Sequence, residues 1–68
     1  MMTREEMMEM MDKALVEVMT EHGCEDWWEV VDGDLVDELE DKVSAIFGRD
    51  ACDMEVYQDW FADMVADL

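Results

Sequence analysis

Apolar residues recur with the period of a helix, about 3.6 residues, in three long stretches of the chain. In the first, Met7, Met8, Met11, Ala14, Leu15, Val18, Met19 and His22 share one face, and Glu6, Glu9, Lys13, Glu17 and Glu21 share the opposite one. Thr3 with Glu6 three residues on has the form of a capping box, and Gly23 follows the last periodic residue, so the pattern predicts a helix over residues 4–22. A second stripe of Leu35, Val36, Leu39, Val43, Ile46 and Phe47 predicts a helix over 35–47, with Asp34 as its N-cap and Gly48 in the left-handed position at its end. The third stripe is Met54, Tyr57, Trp60, Phe61, Met64, Val65 and Leu68, on a helix over 51–67 that Asp50 and Asp53 begin. Met10, Val16 and Val56 fall toward the charged sides of their helices.

Between the first two stripes, EDWWEVVDGD gathers Trp27, Trp28, Val30 and Val31. A lone strand here has no second β-rich run to pair with, so the segment reads as a short helix over 25–31. Four apolar stripes joined by short Gly-marked turns predict an all-α fold: a compact bundle of three to four helices in a single domain, 1–68. A chain of 68 residues buries only about 60% of its unfolded surface. A homodimer would relieve that marginality.

Twenty-one acids stand against Arg4, Lys13, Lys42 and Arg49, for a net charge of −17. Direct contact with nucleic acid or an anionic membrane surface would be repulsive, so a charged partner is a basic one. No run approaches the roughly 18 apolar residues of a membrane span, and the start MMTREEMMEMM is too acidic for a targeting peptide. The expected setting is cytoplasmic, where Cys24 and Cys52 act as small buried hydrophobes rather than as a disulfide.

The groups that carry chemistry are few. One His, one Ser, two Thr and one Tyr make a thin inventory for a nucleophile and its base, and no enzymatic activity is expected. His22 falls where a helix dipole favours a cation, and His22, Cys24 and Cys52 match no zinc-ligand spacing. DGDLVDELED brings Asp32, Asp34 and Asp37 close together, but Val36 and Asp37 occupy positions where a calcium loop needs an oxygen ligand and a Gly. The serine of an acyl-carrier motif is missing from the stretch Gly33, Asp34, Leu35. No cofactor or metal is expected.

The acids themselves are ordered. Glu55, Asp59, Asp63 and Asp67 place a carboxylate at every fourth position, Glu5, Glu9, Glu17 and Glu21 form a similar row interrupted by Lys13, and Asp34 and Glu38 begin a third that ends at Lys42. Like charges at this spacing cost a helix roughly 0.2–0.5 kcal/mol per pair, so the rows work against folding. Solubility needs a net charge of only about 2–8 in a small domain. On a rigid helix such rows repeat negative charge about every 6 Å, a spacing that can engage Lys and Arg side chains which otherwise grip phosphates.

In size, charge, helix-borne acid rows and sparse catalytic groups the chain resembles the small phage and mobile-element inhibitors that imitate DNA, among them anti-CRISPR and anti-restriction proteins. The resemblance covers the whole chain and implies a non-enzymatic inhibitor of anti-CRISPR type. Such a protein would block the DNA- or RNA-binding site of a basic host protein, a CRISPR effector or a restriction enzyme. The candidate contact residues are Glu55, Asp59, Asp63 and Asp67, then Glu5, Glu9, Glu17 and Glu21, then Asp34, Asp37, Glu38 and Asp41. A second reading is an interaction module or homodimeric regulator that binds through the Met-rich apolar face of the first helix, where Met1, Met2, Met7, Met8, Met10 and Met11 cluster.

Overall fold

In the computed structural model, which describes residues 2–66, α1 spans Arg4–His22, α2 spans Trp28–Val31, α3 spans Leu35–Phe47 and α4 spans Glu55–Ala66. A 3₁₀ turn over Ala51–Asp53 links α3 to α4. The expected Asp67 and Leu68 lie outside the described residues. The architecture is the all-α bundle that the stripes predict.

Local chemistry sets most of the boundaries. The Thr3 hydroxyl accepts the Glu6 N–H at 3.2 Å and so satisfies one of the donors left open at the start of α1. At the other end Gly23 adopts φ 66°, which lets its N–H and that of Cys24 reach back to the carbonyls of Thr20 and Met19. Gly48, at φ 65°, closes α3 in the same left-handed conformation. Asp34 does not cap α3 through its side chain. Its backbone is already helical (φ −74°, ψ −4°), whereas a capping carboxylate needs extended backbone to fold onto the following N–H groups.

Two elements are shorter than their apolar pattern suggests. α2 begins at Trp28 rather than residue 25 because the Glu29 carboxylate accepts the N–H groups of Glu25 and Asp26 at 2.8 and 2.9 Å, which holds that stretch as a turn. The last helix is interrupted at Met54, whose extended backbone (φ −92°, ψ 119°) separates the 3₁₀ turn from α4. Asp50 caps the turn by accepting the Cys52 N–H at 3.1 Å, and the Ser44 hydroxyl on α3 accepts the Ala51 N–H at 2.9 Å. The break directs Met54 inward and brings Val56 into the core, although the simple helical count places Val56 on a charged side.

α1 is the hub, in contact with α2, α3 and α4. Its buried residues Met11, Ala14, Leu15 and Val18 meet Val30 of α2, Leu39 and Val43 of α3, and Tyr57 and Trp60 of α4 in one apolar cluster. Among the described residues no acid is buried. The α1–α4 seam carries a polar tie: Trp60 Nε1 donates to Asp12 Oδ1 at 2.9 Å, which gives a largely buried indole its hydrogen bond. Tyr57 lies against Trp60 and Phe61 with ring centroids 5.8 and 5.9 Å away. Both cysteines are free, Cys24 half-buried and Cys52 exposed, so the second is not the buried hydrophobe expected of it.

The Tyr57 hydroxyl is buried without a hydrogen-bond partner among the described residues, and burial, followed by the nearby Glu40 charge, pushes its pKa above the ordinary tyrosine value. Replacing it, as Tyr57→Phe, removes an unsatisfied polar group and should raise unfolding free energy at neutral pH by about 1 kcal/mol. Only the unfolded phenol ionises as pH passes about 10, which draws the wild type toward the unfolded state. The stability gap between Phe and Tyr chains in urea titrations should therefore widen on going from neutral pH to above that value. A gap that is absent and stays absent would contradict this packing of the hydroxyl.

Candidate interaction surface

The helix-borne acid rows remain at the surface, but they are not equally free. On α4, Glu55 and Asp63 are exposed and Asp59 is half-buried, while Asp67 is outside the described residues. Arg4, at the start of α1, donates to Asp59 Oδ2 at 2.5 Å. That hydrogen bond, with the charges of Asp59, Glu55 and Asp63, holds the guanidinium pKa above its usual value, so one cation serves much of the row.

The α1 row divides into two parts. Glu5 and Glu9 are exposed and make no ion pair among the described residues, whereas Glu17 and Glu21 lie beside Lys42 of α3, with its Nζ 3.8 and 3.1 Å from their carboxylates. The bond to Glu21, then the charges of Glu21, Glu17 and Glu38, push the Lys42 ammonium pKa up. On α3, Glu38 is half-buried and its Oε2 meets His22 Nε2 from the last turn of α1. The pair is an ion pair whenever the imidazole carries its second proton. Asp34, Asp37 and Asp41 are exposed without an ion pair among the described residues.

The structure thus brings Glu17, Glu21 and Glu38 together around Lys42 and His22, and ties Asp59 to Arg4. It leaves Glu5, Glu9, Asp34, Asp37, Asp41, Glu55 and Asp63 facing solvent. Sequence spacing reveals the rows but not the cations opposite them, because each pair joins residues 16 to 55 positions apart. The one hint is that Lys42 ends the α3 row.

Glu21, His22 and Glu38 also place three ligand atoms within 4.8 Å of one another, the one such group among the described residues. It contains neither cysteine. Lys42 already sits 3.1 Å from Glu21 and supplies positive charge there, so the group works as an ion-pair seam and a metal would have to compete with the ammonium. The Ser and Thr hydroxyls have structural partners: Thr3 and Ser44 accept backbone N–H groups, and Thr20 donates to the Val16 carbonyl at 2.9 Å. No helix is long and apolar enough to cross a membrane among the described residues.

If cations at the seams offset repulsion between helices, Lys42→Met, which retains most of the aliphatic stem, should lower the melting temperature at low ionic strength. Most of that loss should vanish near 1 M salt, where the screening length is about 3 Å. A loss of equal size at all salt concentrations would assign Lys42 a packing role instead.

The chain matches no family model, no curated protein and no solved structure.

Proposed function

We propose that the protein is a non-enzymatic inhibitor that presents nucleic-acid-like charge to a basic nucleic-acid-binding protein and blocks its DNA or RNA site. The observation that carries this reading is the division of charge: the cations Arg4 and Lys42, together with His22, sit at helix seams, while carboxylates on α1, α3 and α4 remain exposed and unpaired among the described residues. Seventeen net negative charges over a long axis of 33 Å amount to about one per 2 Å. Duplex DNA carries one per about 1.7 Å. Lys and Arg side chains that close on phosphates can close equally on carboxylates at this density.

The target would be a CRISPR effector or a restriction enzyme, met in the cytoplasm, and anti-CRISPR action is the form of inhibition we favour. A Met-borne interface has less support. On the face at the start of α1, Met11 is wholly buried and Met7 and Met8 are half-buried against the core, so much of that thioether surface is already covered.

An affinity pull-down from a bacterial lysate carrying CRISPR and restriction systems tests the proposal. The expected catch is a nucleic-acid-binding protein that both salt and added duplex DNA release; a catch that resists both would overturn it. With the target in hand, three paired variants read the faces separately: Glu5→Gln with Glu9→Gln, Asp37→Asn with Asp41→Asn, and Glu55→Gln with Asp63→Asn. At least one pair should weaken binding about tenfold or more while its melting temperature holds or rises, since repulsion is removed. Unchanged affinity in all three would place the contact elsewhere.

A further inference from the structure

Val16 is 58% exposed in the middle of α1, where an apolar side chain gains nothing from the core. It borders a groove of about 480 Å³ between α1 and α4. Leu15, Val16 and Met19 of α1, Met64 of α4 and Trp27 form its apolar walls. Its charged lining is entirely acidic: Asp12, Glu25 and Asp26. Val16 also lines a second hollow of about 350 Å³, together with Asp12, Glu17 and the single cation Lys13. Asp12 uses one oxygen on Trp60, and Glu25 and Asp26 make no ion pair among the described residues.

From this geometry we infer that the groove is a docking site for a basic amphipathic helix of the partner protein, with an apolar side chain seated between Val16, Met19, Trp27 and Met64 and flanking Lys or Arg residues on Asp12, Glu25 and Asp26. Charge complementarity selects the occupant. A second copy of this chain would bring another net charge of −17 to an acidic lining, and nucleic acid or an anionic lipid surface would meet the same repulsion. A peptide added as a β-strand would need a sheet edge to pair with, and the walls here are helices, which favour a helix laid into the groove. The thioethers of Met19 and Met64 can adjust to the shape of the anchor. The inference rests on the reading that the partner is basic. It adds an apolar anchor, which gives a specificity that a charge row alone lacks.

The test uses the full chain and two dye-labelled synthetic peptides of about 18 residues, built from Leu and Lys: one patterned as an amphipathic helix, the other shuffled. Fluorescence anisotropy should show the patterned peptide binding at least about tenfold tighter than the shuffled one. Val16→Glu sharpens the measurement because it adds a negative charge. Attraction by charge alone would tighten binding of any basic peptide, whereas loss of the apolar wall should weaken the patterned peptide about tenfold or more.

Val16 is exposed and Glu is the better helix former, so the variant should keep the wild-type melting profile. Ala45→Glu, which adds the same charge at an exposed position on α3, should not weaken either peptide. Equal binding of the two peptides, or a Val16→Glu chain that binds the patterned peptide as well as the wild type, would overturn the groove as a docking site. In that outcome, binding that salt still abolishes would leave the charge-based reading standing, and binding that salt does not touch would remove both.

Discussion

Helices that carry the same sign of charge must still meet, and everything else in this structure depends on how that repulsion is handled where they do. The apolar cluster drives α1, α3 and α4 together, and the contact brings carboxylates of one helix toward those of the next. Two cations answer it at the seams, Arg4 of α1 on Asp59 of α4 and Lys42 of α3 between Glu17 and Glu21 of α1, joined by His22 of α1 on Glu38 of α3 when the imidazole is protonated. Each crosses between elements rather than along one. Exposed ion pairs contribute little one at a time, so their weight here lies in position: they lower repulsion only where burial requires close approach. The outer faces are left acidic.

That division explains how a small chain tolerates rows that oppose helix formation. Cation placement is economical because α1 touches every other helix, so a few pairs along it serve the whole bundle. The surplus carboxylates are held on rigid helices at regular spacing. A partner with clustered Lys and Arg would relieve their mutual repulsion on binding, so association would gain from the strain that the free protein carries. The acid-lined groove beside Val16 is where such attraction could gain a fixed register.

The sequence shows most of the fold because the signals are local. Thr3, Gly23 and Gly48 mark ends whose caps depend on a few neighbouring residues, and the stripes of α1 and α3 place Met11, Val18, Leu39 and Val43 correctly in the core. Where the pattern misleads, a competing local bond or a tertiary contact decides. Glu29 captures two N–H groups that a longer α2 would leave in place, and Met54 turns extended between the Asp50-capped turn and α4, which carries Val56 inward. Asp34 looks like a cap from residue type alone, yet its backbone is helical. The acid rows can be read as period-four spacing, but the Arg4, Lys42 and His22 pairings and the groove need helices brought together from distant parts of the chain. Val16 stands out in the sequence as an apolar residue on a charged face; what it faces does not.

The most direct measurement is the salt dependence of affinity for the captured target, plotted as log Kd against log salt and set beside the same target binding duplex DNA. A steep, linear loss of affinity with salt is expected for both, with the two ligands mutually exclusive. A flat dependence for this protein while DNA binding remains steep would contradict the claim that its exposed carboxylates stand in for phosphates.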